Sequence, residues 1–92
     1  MKITYPAVVQ KINSQKYYAF CPDLLSCEAY GDDMIDVLEQ LNEAARMWIE
    51  AELQEEDPTL PPVTDEDDIV LDKDSVIRHI CVTVRFLDGY DE

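Results

Sequence analysis

The hydrophobic positions of this chain follow two rhythms, and each change of rhythm marks an element. From Ile3 to Ile12 the residues are mostly β-branched or aromatic and predict a strand. Ile3, Tyr5, Ala7 and Val9 share one face, Val8 and Ile12 the other, so burial is expected on both sides. Pro6 brings no N–H to a ladder, and pairing there should be one-sided or bulged. The polar Asn13-Ser14-Gln15-Lys16 is short enough for a hairpin, although it lacks glycine. Tyr17 to Cys21 is the second strand, ended by Pro22, with Asp23 suited to the turn that follows. Leu25 to Tyr30 reads as a third, short strand, and Gly31 as a tight backbone exit.

The rhythm then becomes helical. Asp33 stands in the N-cap position with Asp36 three residues on, a shorter relative of the capping box. Val37, Leu38, Leu41, Ala44, Ala45 and Trp48 make one apolar stripe. Asp36, Glu39, Gln40, Glu43, Arg46 and Glu50 fall largely outside it. The spacing makes Met34, Met47 and Trp48 part of a core stripe rather than a ligand pocket. Pro58 sets the latest end of the helix. Between Glu50 and Asp74 lie eleven acidic residues and one base, Lys73, interrupted by Pro58, Pro61 and Pro62. Residues 57–75 therefore read as an acidic connector inside a single domain spanning 1–92. Asp65-Glu66-Asp67-Asp68 lacks the alternating ligands and central glycine of a calcium loop. Val76 to Phe86 is the last strand, with Ile80, Val82, Val84 and Phe86 on one face and His79, Cys81, Thr83 and Arg85 on the other.

Composition narrows the function. A chain of 92 residues builds a limited core, and association into a homo-oligomer is expected. A net charge of −14 repels free nucleic acid and suits either a basic partner or simply a well-solvated surface. Cys21, Cys27 and Cys81 leave one thiol unpaired in any intrachain scheme and include no Cys-x-x-Cys pair. With no leader-like start and no run long enough to cross a membrane, a reducing cytoplasm is expected. His79 is the single histidine and has no nucleophile motif near it, so an enzyme is not expected, and no cofactor either. A metal site from Cys21, Cys27, Cys81 and His79 lacks a second ligand pair at finger-like spacing; core thiols are the simpler reading.

The succession of Tyr5-Pro6-Ala7-Val8, the Phe20-Cys21-Pro22-Asp23-Leu24 turn, Cys27 in the following strand, Gly31-Asp32-Asp33 at the helix start, the Trp48-bearing helix and the proline-containing connector resembles the HicB family of type II antitoxins. The likeness runs from about Ile3 to Phe86. Two departures concern turns: Leu25-Ser26 stands where the family usually has Pro-Gly, and the first hairpin lacks its customary glycine. The resemblance implies an α+β, partial ribonuclease-H-like β-β-β-α-β fold, mostly antiparallel, with the sheet packed on the helix. It also implies a partner: a small basic HicA-type toxin that cleaves mRNA with a histidine and is neutralised by covering that site. Many relatives carry a further DNA-binding module. This chain ends six residues after Phe86, so direct DNA binding is not carried over. Met1 to Gln10 holds no Asp or Glu, which argues against the two-metal nuclease chemistry of ribonuclease-H-like folds.

One helix covers one face of a four-stranded sheet, so the other face and an open strand edge are expected to form interfaces. Tyr17, Tyr18, Asp23, Leu24 and Glu28 are the candidate partner contacts. The alternatives are an orphan structural oligomer without a toxin and a small-ligand-binding domain.

Overall fold

A computed structural model describes residues 2–55, 60–72 and 74–84. Its strands are β1 (Lys2–Asn13), β2 (Lys16–Phe20), β3 (Glu28–Gly31) and β4 (Ser75–Thr83), with the helix α1 (Met34–Leu53) between β3 and β4. They make one four-stranded sheet in the order β3-β2-β1-β4, and each pairing is antiparallel. The α+β class and the β-β-β-α-β order are therefore as expected.

Alternation along β1 sends Ile3, Tyr5, Ala7 and Val9 toward α1. There they meet Ile80, Val82 and Val84, together with Val37, Leu41, Ala45 and Ile49 of the helix. Burying a side chain such as Leu41 or Ile49 contributes roughly 1.5–3 kcal/mol. Pro6 and Val8 on the opposite face are buried too, whereas Ile12 is half exposed, so two-sided burial holds for the middle of β1 only. Pro6 pairs with His79 of β4, while the β2 register begins at Val8↔Phe20. Pairing at the proline is one-sided. The register irregularity lies instead at Lys11/Asn13, beside a tight turn in which the Asn13 side chain accepts the Gln15 N–H at 2.8 Å.

The start of α1 follows from its acidic residues. The Asp33 carboxylate accepts the Asp36 N–H at 2.7 Å, and the Asp36 carboxylate reaches back to the Asp32 N–H at 2.9 Å. The buried positions recur every fourth residue, Val37, Leu41, Ala45 and Ile49; Ile49 extends the expected stripe. Trp48 and Met34 pack against the core, and Met47 is exposed. The helix stops at Leu53, before Pro58. Gly31 is required by proximity: a Cβ there would lie 2.4 Å from the Val37 nitrogen and 2.6 Å from its Cα.

The third strand is shorter than the expected Leu25 to Tyr30: it begins at Glu28. Two successive turns occupy residues 21–27: the Leu24 N–H bonds the Cys21 carbonyl at 3.2 Å and the Cys27 N–H bonds the Leu24 carbonyl at 3.0 Å. Leu24 is buried and Leu25 is 82% exposed. The Trp48 indole donates to the Leu25 carbonyl at 3.1 Å and ties this double turn to the helix. Ser26 adopts φ 63°, in the left-handed region, at the position where the resembling family carries glycine.

The connector is fastened by polar contacts rather than left free. The Tyr5 hydroxyl donates to the Pro61 carbonyl at 2.7 Å. The Asp23 carboxylate accepts from the Thr64 N–H at 3.0 Å and from the Thr64 hydroxyl. Glu66, in a 3₁₀ turn over Glu66–Asp68, lies 3.6 Å from the His79 imidazole. Asp57, Pro58, Lys73, Arg85, Phe86 and the acidic tail fall outside the described residues.

Candidate functional site

The face of the sheet turned away from α1 carries an aromatic row built by strand alternation. Tyr18 and Phe20 project from β2, with Glu28 and Tyr30 beside them on β3 through the pairs Tyr18↔Tyr30 and Phe20↔Glu28. The Tyr18 ring lies 5.9 Å from Phe20 and 5.1 Å from Tyr30, centroid to centroid. The Tyr18 hydroxyl donates to the Glu28 carboxylate at 2.7 Å. That bond, then burial and the nearby carboxylate charge, push the Tyr18 phenol up to about 12. The Lys16 ammonium sits 4.8 Å from the Tyr30 ring centroid, so the row already receives a cation. An open groove of about 380 Å³ continues the row past Phe20 and Pro22 to Leu25 and Glu28.

Of the five residues expected to touch a partner, Tyr18 and Glu28 come together on this face. Leu24 lies in the core. Asp23 holds the connector through Thr64. Tyr17 is on the helix side of the sheet, opposite Gly31, and packs against the core. Phe20, Tyr30 and the exposed Leu25 belong to the surface and were missed. For Phe20 the signal was available, since it shares parity with Tyr18.

Cys21 and Cys27 lie in the core below the helix, where burial pushes the Cys21 thiol up to about 11 and raises Cys27. His79 and Cys81 belong to the opposite, exposed side of the sheet. These four side chains do not converge. Among the described residues no group of three His, Cys, Asp or Glu side chains could hold a metal ion, and no helix is long and apolar enough to cross a membrane. What the outer face offers is flat aromatic surface edged by a carboxylate. Such a surface suits stacking and ion pairing with arginine or lysine side chains.

Comparison with known proteins gives this surface a context. Residues 5–85 match the family model described as the HicB_like antitoxin of bacterial toxin-antitoxin systems. A stretch of 54 residues, 59% of this chain, is 33% identical to the UPF0150 protein ssr1765 of Synechocystis sp., covering 68% of that protein. With most of its length matched, the chain belongs to the HicB-like antitoxin family of bacterial toxin-antitoxin systems.

Proposed function

We propose that this protein neutralises a small, basic, mRNA-cleaving toxin of the HicA type by steric occlusion, without catalysing a reaction itself. The observation that carries the reading is the aromatic row Tyr18, Phe20 and Tyr30 with Glu28 at its margin, facing away from the core on a chain of net charge −14. Long-range attraction brings a basic partner to an acidic surface, and aromatic rings then supply contact area for its arginines. The fold is read as the partial ribonuclease-H-like arrangement, with no carboxylate on the first strand to run that chemistry. The proposal further takes the protein to act in the cytoplasm, as a homo-oligomer, without binding nucleic acid directly.

The test is to look for a short basic reading frame of the HicA type beside this gene and to co-express its product with this protein. Growth should be rescued, the proteins should copurify, and Tyr18→Ala with Tyr30→Ala should weaken both effects. No rescue and no complex would sink the reading. A stable self-associated form with no toxin partner would instead favour the orphan oligomer.

A further inference from the structure

Among the described residues β4 is an edge strand of nine residues, paired with β1 alone. In an antiparallel ladder alternate residues turn both backbone groups toward the neighbouring strand, and the others turn them away. Three observations identify which residues of β4 turn away. Pro6, opposite His79, has no N–H to exchange. The Asn42 amide donates to the Cys81 carbonyl at 2.9 Å. The Arg78 guanidinium donates to the Ile77 carbonyl at 2.9 Å. Ile77, His79 and Cys81 thus present their backbone groups to the open edge, and two side-chain donors stand where the amides of a fifth strand would donate.

The surroundings of this edge define the strand that fits. A groove of about 440 Å³ runs between α1 and β4, walled by Ile35, Leu38, Glu39, Asn42 and Glu43. Ile35 is 72% exposed. On the other side of the edge, Glu66 stands by His79, with Asp67 and Asp68 in the same 3₁₀ turn. A strand laid along β4 sends alternate side chains to these two acidic flanks, one of them with an apolar floor. A second copy of this chain would set its own Glu39, Glu43 and Glu66 beside these, at a net charge of −14 per chain, with only Arg78 and His79 of its β4 to offset them. A basic occupant fits the edge better than a second copy.

We propose that the β4 edge is a docking site for an extended segment of a basic partner, a segment of alternating apolar and Lys or Arg residues that adds as a fifth strand. This rests on the antitoxin reading only in taking that partner to be the toxin. The incoming carbonyls meet the outward N–H groups of Ile77, His79 and Cys81, while the incoming amides displace the Arg78 and Asn42 side chains from the Ile77 and Cys81 carbonyls; the two acidic flanks select the charge.

The probe is a short synthetic peptide of alternating lysine and valine, with a glutamate–valine peptide as control. In the wild-type protein the lysine peptide should slow exchange of the Ile77, His79 and Cys81 amides by about tenfold or more, and the glutamate peptide should not. His79→Pro removes an outward N–H and no ladder bond, so it should weaken the peptide by about tenfold while Tyr5 and Ile80 stay protected. Equal affinity for the proline variant, or protection confined to the Tyr18 face, would overturn the proposal. If the proline variant does not fold, the wild-type exchange pattern alone decides. Peptide protection without toxin rescue leaves the edge site standing and removes the antitoxin reading; rescue without protection does the reverse.

Discussion

Replacing Gly31 by alanine tests how tightly the sheet is joined to its helix. The added Cβ would lie 2.4 Å from the Val37 nitrogen, 2.6 Å from its Cα and 2.9 Å from its Cβ. Carbon atoms settle at about 3.5–4.0 Å, so the first turn of α1 has to move by about 1 Å. That turn is fixed on both sides. Val37 is wholly buried, and its N–H makes the first helical bond to the Asp33 carbonyl at 3.0 Å. Overpacking of this kind costs about 1–3 kcal/mol. Against it, alanine lowers the entropy of the unfolded chain, worth about 0.4–1 kcal/mol in its favour. The net expectation is a loss of about 1.3 kcal/mol, or a melting temperature lower by about 5–10 °C for a domain of this size. Urea unfolding followed by circular dichroism, at matched protein concentration, reads it as a lower midpoint at unchanged slope. Adding Val37→Ala should not restore stability, because the closest atoms are backbone. A Gly31→Ala midpoint within about 0.5 kcal/mol of wild type, or full rescue by the second substitution, would refute the reasoning.

Other substitutions probe separate parts of the fold. Asp33→Ala removes the N-cap and should cost about 1 kcal/mol in the same assay, with Asp36→Ala adding less than its own effect because the two carboxylates act reciprocally. Ser26→Gly should stabilise by up to about 1 kcal/mol, since it relieves a positive φ at the expense of some unfolded-state entropy; a clear loss would contradict the left-handed turn. Cys21 carries a thiol raised from 9.0 to about 11, so the unfolded chain ionises first as pH rises. Its contribution to stability is fully present below pH 9 and is lost as pH rises toward 11, by about 1–3 kcal/mol. The difference between wild type and Cys21→Ala across that window should shrink accordingly. Glu28→Gln should return the Tyr18 phenol from about 12 toward its ordinary value of 10.0, seen in a spectroscopic titration of that tyrosine.

The elements most legible in the sequence are those fixed by neighbours in the chain. Asp33 and Asp36 bond within one turn, and the helical stripe needs nothing beyond periodicity, which also places Ile49 four positions after Ala45. Leu25 misled because an apolar residue after a turn suits a strand and a second turn equally. What decides between them is the Trp48 indole, 23 positions away. The fastening of the connector was invisible for the same reason: Tyr5 and Pro61 are separated by 56 positions, and Asp23 and Thr64 by 41. Tyr17 and Tyr18 show the limit at the site itself. Consecutive strand residues take opposite faces, and the choice between them depends on which face the helix covers. Ala19, buried against α1, settles that choice only once the sheet is known.

The pairing of Lys2 with Thr83 has a consequence for how this molecule comes into being. β1 leaves the ribosome before the other strands of this sheet, yet one of its two edges finds its partner only after the helix and the connector have been made. Contacts between distant positions close slowly, because the loop entropy must be met before they reward it. Until β4 arrives, the stretch from Ile3 to Val9 offers an open, apolar edge to any other nascent chain. Self-repulsion from the acidic helix and connector works during that interval, keeping incomplete copies apart. The charge thus has a use before there is a folded surface for a partner to meet.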